Sequence, residues 1–235
     1  LAVYAMVVWG LLLRFVSKPI KIEPLSAGFM RGVLMRYLRV FKTRIALGFL
    51  FFQAFSFSSM FVFLTESSFV YMELYGVSAH AYAWIFGLNI ITMAVFNRIT
   101  AWHLKTGSNA ENILLWGILI QLVANVILVT SVLIAGLPPL WWLVMWIMIS
   151  VGTQGLITAN TQACYMTYFR EESGSANAVL GVCQSLIAAS VGFLATWLHN
   201  GTAWVMTGMM LCATWSRMAL IWRFSSQVWH KQPVL

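Results

Sequence analysis

The sequence contains no aspartate, and charged residues make up only 9% of its 235 positions. A soluble domain carries about 25% charged residues. With 61% of positions hydrophobic, this chain has too few polar groups to cover a water-facing surface, so lipid is the solvent for most of it. Cysteine is scarce as well. Cys164, Cys183 and Cys212 lie in apolar runs without CxxC or CxxxC spacing, which argues against a metal cluster or a disulfide framework and for inert buried thiols. His80, His103, His199 and His230 fall in expected loops or the tail, with no pair at ligand spacing on one helix, so no metal is expected. A nucleophile elbow, a P-loop and paired acidic motifs are all missing. No catalytic residue or cofactor is assigned, and an enzyme has nothing to rest on. The first apolar run lacks a basic lead and an A-x-A site, so it does not read as a cleavable signal peptide.

What is present is long apolar runs. A helix needs roughly 20 apolar residues to cross about 30 Å of hydrocarbon. Positions 45–65 are uncharged, as are 81–97, which Arg98 closes. Positions 112–169 form two spans around the turn Gly136-Leu137-Pro138-Pro139, and 173–216 two more around His199. These runs predict about six transmembrane helices in an all-α bundle. The first run, Leu1 to Leu13, covers only about 20 Å at 1.5 Å per residue, so it reads as the end of a helix that starts earlier. The expected layout is the end of a span at 1–16 and a basic linker at 17–44. A six-helix half with five complete spans follows at 45–224, then a tail at 225–235.

The net charge of +8 would suit nucleic acid only if it lay on one soluble face, and no such face exists. Numbered in order, alternate connections carry all fourteen Lys and Arg: eight between Arg14 and Arg44, then Arg98 and Lys105, Arg170, and the tail from Arg217. The other connections carry none, but hold Glu66 and Glu73. By the positive-inside rule the basic set, with the C-terminus and the Arg98 loop, faces the cytoplasm. Within 17–44 the linker at 17–27 is extended. After it Met30, Leu34, Tyr37, Leu38 and Phe41 mark one helical face, which is the pattern of a helix lying on lipid with its cations among the headgroups.

Polar side chains inside the spans are costly and usually face protein or a water-filled cavity. Ser56, Ser59, Phe63 and Glu66 share one face of their helix. Tyr82, Asn89 and Phe96 share another; Gln154, Thr158, Thr161 and Tyr165 align on a third, and Asn177, Gly181 and Gln184 on a fourth. Interhelical hydrogen bonds would account for any single residue. Four such stripes together fit a shared substrate cavity better, formed by Ser56, Ser59, Phe63, Tyr82, Asn89, Gln154, Thr158, Asn177 and Gln184. Glu66 is the carboxylate nearest a span, and a carboxyl in low dielectric can carry a proton. Lying 22 positions beyond Arg44, roughly 33 Å along a helix, it is expected at the solvated rim, with proton coupling as the alternative. Gly174, Ala178, Gly181, Ser185, Ala189 and Gly192 are small enough to let their helix pack closely on a neighbour.

Residues 55–61 (FSFSSMF) with 69–73 (FVYME) resemble the seventh helix and outer loop of Bcr/CflA drug-resistance transporters. Residues 87–90 (GLNI) leading to 96–98 (FNR), and 173–178 (SGSANA), resemble the eighth helix and the start of the eleventh. The resemblance implies the C-terminal half of a drug:proton antiporter of the major facilitator superfamily, in a bacterial inner membrane. Its expected partners are membrane lipid, protons, an amphipathic small-molecule substrate and an N-terminal half that usually holds the acidic proton carrier. Such a half should not transport alone. A non-transporting subunit that pairs with another six-helix chain, or a sugar or metabolite exporter of the same superfamily, is the alternative.

Overall fold

The computed structural model describes residues 2–15, 29–170 and 172–225, and the regular structure there is entirely helical. Two units are distinguished, Leu1–Met35 and Arg36–Leu235. The first contains α1 (Ala2–Phe15), with Val3, Met6, Val7, Trp9 and Leu11 exposed, and the start of α2 (Phe29–Lys42). The linker expected at 17–27 and the tail beyond Ser225 lie outside the described residues, as do the side chains of Met30 and Leu34.

The second unit is a multi-pass bundle. Its helices are α3 (Arg44–Ser68), α4 (Ala79–Lys105), α5 (Ala110–Ala135), α6 (Leu140–Gly152), α7 (Gln154–Met166), α8 (Ser173–Trp197) and α9 (Ala203–Ser225). The pair α6 and α7 is one span broken at Thr153, whose hydroxyl turns back to the Ser150 carbonyl. Among the described residues, five spans are long and apolar enough to cross a bilayer, and α9 runs beside α3 and α5 as the sixth long helix. The six thus lie between Arg44 and Ser225, and α1 comes in addition to them.

Helix ends are the main departure from the sequence reading. α3 does not stop near Thr65 but continues through a π-helical turn at Phe69–Leu74, because nothing in 66–74 breaks a helix; Gly76, at φ +65°, does. Arg98 likewise is not in a loop. α4 runs seven residues past it to Lys105, and the chain turns only at Gly107, where φ is +89°. His80 and His103 are therefore helical as well. The C-terminal part of α2 is more than a lipid-surface connector. Val40 is fully buried in the bundle and Tyr37 is half-buried against it, while Leu38 and Phe41 are exposed. Arg39, expected to face lipid, pairs with Glu172 at 2.7 Å. Of the thiols, Cys164 is buried but Cys212 is exposed on α9.

α3 is the central strut, packed on α7, α8 and α9. Apolar side chains form two cores. One, around Phe49, Leu50, Phe52, Leu114, Ile157 and Tyr165, lies toward the Arg44 end of α3; the other, around Val62, Phe63, Leu143, Ile147 and Met206, lies toward the Glu66 end. α4 touches α6 and α7 through glycine. A Cβ at Gly155 would sit 2.4 Å from the Met93 carbonyl oxygen, and one at Gly152 2.6 Å from Thr92 Cγ2. The small stripe of α8 behaves otherwise. Gly174 and Gly181 face open space, and only Gly192 meets a neighbour, Phe61 at 2.7 Å. Gly181→Ala is therefore expected to leave folding intact and to raise the melting temperature slightly, since a mid-helix glycine costs roughly 0.5–1 kcal/mol relative to alanine. A drop of several degrees in a thermal scan would show that the position is covered.

Candidate functional site

Between the two cores lies a polar belt contributed by α3, α5, α6, α7 and α9. At 1.5 Å per residue, Ser56 is about 18 Å along α3 from Arg44 and Gln121 about 16 Å along α5 from Ala110, so the belt is deep in the bundle. At its centre is Arg217 of α9, fully buried. Its guanidinium donates to Ser56 Oγ at 2.9 Å and to Gln121 Oε1, and stacks 5.2 Å from the Phe52 ring centre. Its Nε has no partner. Ser56 Oγ donates in turn to Gln154 Oε1 at 2.9 Å, and Gln154 Nε2 donates to the Ser56 carbonyl at 3.0 Å. A second knot ties α5 to α6 and α9: Ser150 donates to Asn125 Oδ1 at 2.6 Å, and Asn125 Nδ2 donates to Thr214 Oγ1 at 2.8 Å.

Arg217 therefore does not belong with the cations expected at the cytoplasmic face. The apolar run expected to end at Ser216 goes on through Met218 to Trp222, and that continuation is the signal in the sequence. Gln121 and Asn125, four apart in the most apolar of the long helices, were also missed. An i, i+4 polar pair inside a span is the trace they leave in sequence.

The belt also explains where the expected cavity residues stand. Ser56, Ser59, Phe63, Asn89 and Gln154 are buried among helices of this chain, so their faces are not open walls. Ser59 Oγ reaches the Met210 carbonyl and Asn89 Nδ2 the Ile85 carbonyl; Phe63 stacks on Phe86 at 6.2 Å. Tyr82 is half-buried and shares a hydrogen bond with Ser67 at 2.9 Å. Thr158 and Asn177 are exposed and Gln184 is half-exposed. The reason is helical register. Ser56 meets α7 through Gln154, and Phe61 meets α8 at Gly192. Five residues separate these two contacts, about 140° around α3. The arc between them, which no described helix of the second unit covers, carries Phe57, Met60 and Leu64, all at least partly exposed.

Gln53 lies on the same arc, at i, i+4, i+7 and i+11 with those three, and its buried Oε1 has no partner. The open strip is thus one residue of register, about 100° around the helix, from the expected Ser56–Ser59–Phe63 face. α7 borders it with Thr158 and Gln162, and α8 with Asn177; Gln162 donates to Asn177 Oδ1 at 3.2 Å, linking the two helices. Thr158 is hydrogen-bonded at 3.4 Å to Gln154, which connects the strip to Arg217 through two residues.

Glu66 stands apart from both. It is 5% exposed rather than solvated at a rim, because the π-helical turn carries α3 onward past it and the turn between α8 and α9 covers it. From that turn His199 places Nδ1 2.9 Å from Glu66 Oε2. Phe69 meets the imidazole edge-on at 4.3 Å between ring centres. Glu73 is exposed at the π-turn's end. Among the described residues no group of three or more His, Cys, Asp or Glu could hold a metal.

No family model matches the chain. It is 27% identical over 172 residues to a bicyclomycin resistance protein homolog of Haemophilus influenzae, an alignment that covers 73% of this chain and 42% of that protein. It is 28% identical over 133 residues to an uncharacterized MFS-type transporter of Bacillus subtilis, covering 56% of this chain and 32% of the relative. The chain thus spans less than half the length of these relatives. Its similarity to Bcr-type, major facilitator superfamily proteins agrees with the resemblance read from the sequence.

Proposed function

We propose that the chain is the C-terminal half of an exporter of amphipathic drugs or related metabolites, driven by proton antiport across a bacterial inner membrane, with its C-terminus in the cytoplasm. The observation that carries the reading is the uncovered arc of α3. A central strut with one face left open, floored by Phe57, Met60 and Leu64 and bordered by polar groups of α7 and α8, is what one wall of a cavity between two six-helix halves requires. Thr158, Asn177, Gln184 and Tyr82, with Phe57, would touch substrate through a few polar contacts on an aromatic surface. Ser56, Ser59, Phe63, Asn89 and Gln154 would hold that wall in place from behind. The two halves would rock against each other to expose the cavity alternately to either side.

The test is drug resistance conferred by the complete reading frame in a pump-deficient bacterial strain, with bicyclomycin among the drugs and with and without a protonophore. Resistance that disappears when the proton gradient collapses is expected; resistance that survives it would remove the coupling. Phe57→Ala and Thr158→Ala, checked for unchanged membrane abundance, should shift the drug profile. An unaltered profile in both would remove the cavity assignment.

A further inference from the structure

We propose that Glu66 and His199 together form a proton-binding site whose occupancy decides whether the turn between α8 and α9 is held against α3. As a step in export this rests on the antiporter reading; as a property of the pair it does not.

Among the described residues, Glu66 is the carboxylate set inside a span. Glu73 is exposed at the end of the π-turn, and Glu111 and Glu172 belong to the opposite end of the bundle. The Glu66 carboxylate side chain is 6% exposed and the imidazole 33%, so the histidine is the member that meets water and the carboxylate the member that is shielded. A proton arriving from outside reaches the pair through His199.

Few other groups compete at this end. The π-turn and the residue after it bring Tyr71, Glu73 and Tyr75, and α4 brings His80 and Tyr82. Tyr82 is engaged with Ser67, His80 with the Trp84 indole, and Tyr75 donates to the Pro138 carbonyl. Burial pushes the Tyr75 phenol up to about 12, which keeps it neutral. The last turns of α8, the first turns of α9 and the α5–α6 turn add no titratable side chain apart from His199. Among the described residues, the carboxylate at 2.9 Å is thus the one ionic partner of the imidazole, and the reverse.

With one shared proton the pair is an ion pair, attractive in a poorly screened setting. Loss of that proton to water through His199 leaves a neutral imidazole beside the carboxylate and removes the attraction. Losing the pair frees the α8–α9 turn from α3. α8 is also the helix that carries Asn177 and Gln184 along the open strip, so proton occupancy at one end biases the wall of the cavity. Such linkage is reciprocal: a substrate that shifts α8 would shift proton affinity.

The experiment places spin labels at Asn200→Cys and Glu73→Cys in the complete transporter, with native cysteines replaced, and measures the interlabel distance from pH 8 to 5, the range in which histidine ordinarily changes charge. A shift to shorter and narrower distances on acidification is expected. Glu66→Gln should show the high-pH distribution at every pH, and His199→Asn, which removes the cation without adding bulk, should abolish the pH dependence as well. Distances that do not change with pH in the otherwise native protein, or that change equally in both variants, would overturn the site. Gel filtration of each variant separates these outcomes from misfolding. A proton-independent resistance phenotype beside a normal distance shift would instead count against the antiporter reading alone.

Discussion

Arg217→Ala should destabilise the bundle by about 2–3 kcal/mol, through the loss of two interhelical hydrogen bonds and of a large buried volume. The substitution strips the donors from Ser56 Oγ and Gln121 Oε1 in the buried belt. Each orphaned acceptor costs about 1–3 kcal/mol, and interhelical bonds in membranes sit at the low end, near ~0.6 kcal/mol. The larger part is the void. A truncation of this size, at about 24 cal/mol per Å³ of residual cavity, costs on the order of 2 kcal/mol.

A charge placed deep in a bilayer is itself unfavourable, so losing it offsets part of the hydrogen-bond loss. Arg217→Met separates the two effects, because it keeps most of the volume and discards the charge. It should recover about 2 kcal/mol relative to alanine, the void contribution. Thermal unfolding of the complete transporter in detergent, read by gel filtration, measures both. An alanine variant within about 1 kcal/mol of the parent would mean that the side chain snorkels to the headgroups and that the belt has no such centre.

Gly155→Val is the second large effect, and it acts through shape alone. The new Cβ would lie 2.4 Å from the Met93 carbonyl oxygen and 2.7 Å from the Asn97 nitrogen. Both are backbone atoms of α4, so no rotamer change can make room and the two helices must separate. Overpacking of a close-packed interior costs about 1–3 kcal/mol and sometimes more; the absence of any side-chain escape puts this site at the upper end. Separation also breaks the bond from Thr100 Oγ1 to the Gly155 carbonyl, 3.2 Å long. Loss of both thermal stability and drug resistance is expected. Gly117→Ala should be milder, since its contacts at 3.0 Å are the Ile157 and Leu156 side chains. An order of damage other than Gly155, then Gly117, then Gly181 would show that α4 does not approach α7 this closely.

The sequence carried the solvent, the approximate number of spans and the family resemblance. Each follows from composition along the chain: runs without charge, the break at Gly136-Leu137-Pro138-Pro139, and the one-sided placement of Lys and Arg. It also marked which residues are polar inside lipid. It could not say which way they point, because a stripe such as Ser56–Ser59–Phe63 is the same stripe whether α9 or an open cavity lies beside it. Tertiary packing decided that. α7, α8 and α9 cover three sides of α3, turning the predicted face inward onto Arg217 and leaving Phe57, Met60 and Leu64 open. The same holds for Glu66 and His199. They stand 133 positions apart in the chain, and only the packing of the α8–α9 turn over the end of α3 brings an imidazole to a carboxylate that periodicity alone would have left in water.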